Sequence, residues 1–159
     1  MMRKLLYKKT VEPVVALIKQ GISPEKISLG MACGIVLGIF PVLGATTLLC
    51  GLAALIFRLN LPAVQLVNYM VYPLQIILLI PFFHIGDLLF QVEPLPLPAQ
   101  ELISLLRTDL WGTINSFWGT TLRAVVAWLL FSLPTFLILH FTLVRFIKAF
   151  GFAKVNSES

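Results

Sequence analysis

The fold class predicted for this chain is an all-α membrane protein, and three features of the sequence predict it. Of the 159 residues, 58% are apolar and only 12% charged, against about a quarter charged in soluble domains. That apolar content is gathered into long uncharged runs. Ile27 to Phe57 holds no ionisable side chain except the thiols of Cys33 and Cys50, and Leu59 to Gly86 carries no formal charge. Each run has a proline near its middle, Pro41 in the first and Pro73 in the second. The architecture expected is two Pro-broken helical hairpin-like blocks, an interfacial amphipathic helix and a C-terminal transmembrane helix.

Residues 1–22 form a basic amphipathic N-terminal segment, with Leu5, Leu6, Val11, Val14, Val15, Leu17 and Ile18 set among Arg3, Lys4, Lys8, Lys9 and Lys19. The pattern suits a helix lying on anionic lipid, or a solvated tail. No apolar segment comes directly after the basic residues, and Glu12, Pro13 and Lys19 interrupt the stretch beyond them, so a cleaved signal peptide is not expected. The membrane domain is placed at 23–146. Ser23-Pro24-Glu25 reads as a helix start: a capping hydroxyl, a proline where no N–H is needed, and an acid at the positive end.

Block one, 27–57, would be roughly 46 Å long as one helix, too long for one span of a bilayer core of about 30 Å and too short for two. Pro41 has no N–H and clashes with the preceding turn, so the helix is expected to break there. Gly44 gives flexibility after the break, and Thr46 and Thr47 are expected to cap the second half-helix. Gly30, Gly34 and Gly38 recur every four residues and form a packing ridge, for a homodimer or for the chain's own returning helix. Cys33 and Cys50 read as small packing residues, with no disulfide framework and no metal spacing.

Block two, 59–86, would be roughly 42 Å as one helix. Its Tyr72-Pro73 interruption answers that at Pro41, a weak internal repeat of the kind that marks binding sites in transporters. Pro73 can also be read as a kink in a single tilted span, and both readings stay open. Pro81 adds a bend before His84 and Asp87, which lie three residues apart and can share a helix face.

Glu93 to Pro98, with Pro94, Pro96 and Pro98, is a stiff extended linker. From 99 to 118 Leu102, Leu105, Leu106, Leu110, Ile114 and Phe117 recur at helical spacing opposite Glu101, Ser104, Thr108, Asp109 and Asn115. With Trp111 and Trp118 at headgroup level this is the interfacial helix. Residues 124–144, between Arg123 and Arg145, match one bilayer crossing, with Pro134 as a kink site and His140 near the border. Residues 147–159 form a basic, partly disordered tail, with order expected to end after Phe152.

Charge sets the expected topology. The net charge is +5, with basic residues at both ends, while Asp87, Glu93, Glu101 and Asp109 face only Arg107 in the middle. Both termini are therefore expected in the cytoplasm. Parity then requires one crossing block and one re-entrant block, and Arg58 favours block one as the re-entrant hairpin. Basic ends without a basic-aromatic pattern do not point to nucleic acid.

The residues offer little for catalysis. The membrane part has only His84, Asp87 and His140, and no nucleophile elbow, phosphate loop or dinucleotide fingerprint. No enzyme activity, cofactor or metal is expected. Backbone chemistry is the stronger candidate: half-helices that start inside the membrane aim free N–H groups and the positive ends of their dipoles into a cavity. Two such starts, at Gly44, Thr46 and Thr47 and at Pro73 and Gln75, would make an anion pocket with Arg58 or Arg123 near its mouths. Alternatively these groups only satisfy one another.

Pro24-Glu25-Lys26-Ile27 leads to Gly34, Gly38, Pro41-Val42-Leu43-Gly44 and Thr46-Thr47. Then come Arg58-Leu59-Asn60-Leu61-Pro62, Tyr72-Pro73-Leu74-Gln75 and Gly86. In this order they resemble the bacterial domain-of-unknown-function 2062 family over roughly Ser23 to Phe146. The resemblance implies a small multi-pass protein of the bacterial inner membrane, without settled activity, in a family whose domain is sometimes joined to glycosyltransferase modules. Ala45 stands where that family usually has Gln, and Tyr72 where it usually has Asn. If those amides touch a ligand in relatives, this chain either binds differently or uses Gln75 and Asn68 instead. The function expected is transport or flipping of an anionic solute or phosphate-bearing lipid carrier; the alternative is a non-catalytic membrane scaffold or assembly factor. The partners expected are membrane lipid, an anionic lipid or small anion, a second copy of the chain, and a glycosyltransferase.

Overall fold

A computed structural model describes the backbone of residues 22–93 and 110–155, and the side chains of 22–93 and 117–149. The described residues form five α-helices and no strand. Helix α1 spans Pro24–Gly38. Ser23 Oγ accepts the Lys26 N–H at 3.4 Å, Pro24 takes the first turn and Glu25 faces the positive end. The chain then unwinds over residues 39–44, around the buried Pro41. Gly44 turns it with φ of +86°, a left-handed conformation open to glycine at little cost.

Helix α2 is Ala45–Ile56. It closes on a Schellman motif, Leu59 N–H to Ala54 O at 2.8 Å and Arg58 N–H to Leu55 O at 3.3 Å. Arg58 holds the left-handed position, φ +51°, that glycine usually fills. Helix α3 is Leu61–Met70, capped by Asn60 Oδ1 on the Ala63 N–H at 3.0 Å with Pro62 in its first turn. Helix α4 is Tyr72–Leu89, with Pro81 inside it, and it too ends on a Schellman motif, with Gln91 at φ +53°.

The two prolines behave differently. Across Val71 the helical bonds persist, Val71 N–H to Val67 O at 3.1 Å and Gln75 N–H to Val71 O at 2.9 Å. Pro73 sits in the first turn of α4, where its missing N–H removes little. The chain bends at Pro73: α3 and α4 are two helices that meet at the single turn residue Val71, bridged by these two bonds. Block one is a helix–loop–helix, whereas the joint of block two is one residue long.

Helix α5, Leu110–Val155, is 46 residues long, roughly 69 Å. Both α1 and α4 run antiparallel to it. Glu25 pairs with Lys148 at 2.6 Å, Ser28 with His140, and Val36 with Trp128, fixing α1 along its C-terminal half. Gly86 and Asp87 meet Arg123, fixing α4 along its N-terminal half. Val36, Phe82, Ala124, Ala127 and Trp128 form the buried core where the three meet. Helix α3 runs parallel to α1, because Gly30 faces Val64, Gly34 faces Val64 and Val67, and Gly38 faces Val71 and Asn68. Helix α2 carries the chain back between them. The glycine ridge is thus spent on α3, whose backbone carbonyl at Val64 would stand 2.9 Å from a Cβ on Gly34.

Among the described residues two helices are long and apolar enough to cross a membrane, Tyr72–Leu89 and the Phe117–Ala149 part of α5, and α2 is a shorter apolar helix. Large apolar side chains cover their outer faces, among them Leu48, Ile77, Leu88, Leu133 and Ile138. The tail expected from 147 is helical to Val155: Ile147 is buried and Lys148 is tied to Glu25. Leu110 to Trp118, expected in a separate interfacial helix, runs into α5 without a break. The rest of that segment, 99–109, the linker from Pro94 and the N-terminal stretch 1–21 lie outside the described residues.

Candidate functional site

Block one has its unwound backbone at 39–44, and the largest fully buried side chain among the described residues reaches it. Gln75, 1% exposed, donates from Nε2 to the Phe40 carbonyl at 2.7 Å. Its Oε1 is buried with no hydrogen-bond partner. Gln75 stands one turn into α4, after the kink, which aims it back at the break. Asn68, seven residues earlier and 3% exposed, lies on the same face. Asn68 Nδ2 donates to Gln65 Oε1 at 3.2 Å, and Gln65 Nε2 donates to the Thr47 carbonyl at 2.8 Å. A polar strip therefore runs from α3 and α4 to both sides of the break, buried at Gln75 and Asn68 and exposed where Gln65 meets Thr47.

On the far side of the break α2 begins without a side-chain cap. Gly44 is the N-cap residue, and Thr46 and Thr47 lie within the first turn, so neither threonine caps the helix as expected. Thr46 is buried at 3% exposure and Thr47 is exposed. The Ala45 N–H bonds back to Val42 O at 3.3 Å. The uncapped first turn still presents donors and a positive dipole end, with the Thr46 hydroxyl among them.

The remaining residues singled out by sequence are dispersed. Arg58 is exposed at the other end of α2, roughly 18 Å away along the helix axis. Arg123 is engaged, donating Nε to Asp87 Oδ1 at 2.8 Å and its terminal nitrogen to Thr120 Oγ1 at 2.9 Å. Asp87 is 3% exposed and bonded to Arg123, while His84 is exposed. Pro41 lines the break; Pro73 shapes the kink that delivers Gln75.

Two contacts had no readable signal because they link distant residues. Ser28 Oγ donates to the His140 carbonyl at 2.7 Å and also meets His140 Nδ1 at 3.1 Å, across 112 positions. Trp128 donates Nε1 to the Val36 carbonyl at 3.1 Å, and its ring meets that of Phe40 edge-on at 5.0 Å. At the base of α1 the hydrogen bond from Lys148 holds the Glu25 carboxyl below its ordinary range.

Residues 13–154 match the model of a family described as "Uncharacterized protein conserved in bacteria (DUF2062)". Comparison with curated proteins and with solved structures returns no match.

Proposed function

Because the chain belongs to the DUF2062 family of uncharacterised bacterial proteins, and two of its helices are long enough to cross a membrane, we propose that it is a multi-pass inner-membrane transporter or flippase. Its cargo is an anionic solute or a phosphate-bearing lipid carrier, and it is not an enzyme. One observation carries the reading: an unwound segment at 39–44, with an uncapped helix start on one side and the buried amide of Gln75 against the other. Discontinuous helices of this kind form solute sites near the bilayer midplane in transporters, with half-helix N-termini facing anionic groups.

In this reading α1 and α2 form a re-entrant hairpin, α3 with α4 crosses, and α5 returns, so both termini are cytoplasmic. The backbone N–H and hydroxyl of Thr46 and the N–H of Thr47 receive the anion, Gly44 lets it approach, and Gln75 closes the break behind it. Arg58 serves only as a mouth residue. Membrane lipid surrounds the outer faces, and a glycosyltransferase is the partner that would consume a flipped carrier. A homodimer would use a face other than the glycine ridge.

The bonded kink at Val71 favours a second reading, a non-catalytic scaffold or assembly factor, since it leaves one open break where a symmetric pair would suit transport better. Reconstitution in liposomes separates the two. Faster translocation of a fluorescent polyprenyl phosphate than in protein-free vesicles, lost in Thr46→Val and Gln75→Leu, supports transport. Translocation no faster than in protein-free vesicles retires it and leaves the scaffold.

A further inference from the structure

We propose that the same break holds a monovalent cation, Na+ or K+, at the C-terminal end of α1 beside the side-chain oxygen of Gln75. This goes beyond the solute reading, because the cation site lies on the acceptor side of the break and the solute site on its donor side. Helix α1 ends at Gly38 with no basic residue in its last turn, so the negative end of its dipole faces the break without a counter-charge. Independently, Gln75 brings an acceptor there that nothing satisfies. Its Nε2 bond to the Phe40 carbonyl fixes the amide's orientation, since the flipped amide would set oxygen against oxygen. Oε1 is therefore the buried atom left unpaired, a costly condition in an apolar interior.

The chemistry of the surrounding groups selects the ion. The oxygens on hand are neutral, Gln75 Oε1 and the backbone carbonyls that end α1, and among the described residues no three His, Cys, Asp or Glu side chains come together. Calcium sites are rich in carboxylates and transition metals favour imidazole or thiolate. Gln75 does not titrate, so a proton is not the occupant. Neutral carbonyls of an unwound segment and the C-terminal end of a half-helix are the groups that coordinate Na+ in discontinuous membrane helices. Arg58 lies at the far end of α2 and Arg123 is held by Asp87, so neither competes for the place.

The test uses the detergent-purified full chain and needs no transport, so its failure and that of the solute reading are separable. Thermal unfolding is compared in Na+, K+ and N-methyl-D-glucamine salts at one ionic strength. The expected result is a midpoint several degrees higher in Na+ or K+, saturating with concentration and absent in Gln75→Met, which keeps the chain length and removes both polar atoms. Equal midpoints in the three salts, or an undiminished rise in Gln75→Met, would overturn the site. Should that variant not fold, Trp128 reports from the wild type, since its ring touches Phe40. A saturable fluorescence change in Na+ or K+, missing in Trp128→Phe, supports the site, and no change overturns it.

Discussion

Replacing Gly86 by Ala inserts one methyl group between α4 and α5 at a place where the two backbones already touch. The new Cβ would lie 2.6 Å from the carbonyl carbon of Arg123, 2.7 Å from its oxygen and 2.8 Å from the nitrogen of Ala124. All three atoms are backbone, so nothing can swing aside. Recovering a 3.4 Å contact from 2.6 Å requires the helices to part by about 0.8 Å. Asp87 is the next residue, and its 2.8 Å bond to Arg123 would stretch to about 3.6 Å, beyond hydrogen-bonding range. Overpacking costs about 1–3 kcal/mol, and weakening a charged hydrogen bond about 1.5–3 kcal/mol. The helix propensity of Ala over Gly returns about 1 kcal/mol. The net loss is about 1.5–5 kcal/mol, or roughly 3–20 °C in a chain of this size. Thermal unfolding in detergent, followed by far-ultraviolet circular dichroism, measures it. The control is Gly51→Ala, where a Cβ meets nothing nearer than Gln65 Nε2 at 3.9 Å; it should hold or raise the midpoint. A Gly86→Ala protein that melts with the wild type, or a Gly51→Ala protein that falls with it, would refute the packing of α4 on α5.

Three further outcomes are expected. Arg58→Gly and Gln91→Gly relieve left-handed conformations at two helix ends, and each should raise stability by about 1 kcal/mol in denaturant titration; a loss would mean that these side chains hold the turns. Gln75→Leu removes an unpaired oxygen along with one hydrogen bond, so in N-methyl-D-glucamine salt its stability should stay within about 1 kcal/mol of the wild type while cargo translocation is lost. A variant that unfolds instead would make Gln75 a structural strut. Glu25, its carboxyl lowered by Lys148, stabilises the fold above its unfolded pKa and stops doing so as pH falls through the lower folded value. The small stability difference between wild type and Glu25→Gln should therefore be present at pH 7, weaken in salt, and fade as pH falls from the ordinary carboxylate range through the lower folded value. A difference that grows on acidification would contradict that sign.

Local chemistry made much of this fold readable. Ser23-Pro24 marks the start of α1, Leu61-Pro62 that of α3, and Pro41 breaks block one, each through a rule that acts within a turn of the chain. Pro73 shows where that logic ends. Its consequence depends on whether the flanking bonds Val71–Val67 and Gln75–Val71 survive, which packing decides. Arg58 and Gln91 take turn positions where sequence rules look for glycine, so neither Schellman motif announces itself. Arg123 reads as the border of a span because its partner, Asp87, stands 36 positions earlier. At the candidate site Gln75 is legible as a polar residue after a membrane proline. The reason for its placement is not: the amide seals the break at Phe40 from outside block one. Thr46 and Thr47 read as caps, but with Gly44 as the N-cap residue they fall inside α2.

The function proposed above needs α1 and α2 to enter and leave the membrane on one side, with the break at 39–44 between them, and cysteine labelling tests that most directly. With Cys33 and Cys50 replaced by Ala, single cysteines at Lys26, Arg58 and Glu93, all exposed, are challenged with a membrane-impermeant maleimide in sealed vesicles of known orientation. Lys26 and Arg58 should label from the same face and Glu93 from the opposite one. Labelling of Arg58 together with Glu93, away from Lys26, would make α1 and α2 a crossing pair and contradict the re-entrant hairpin.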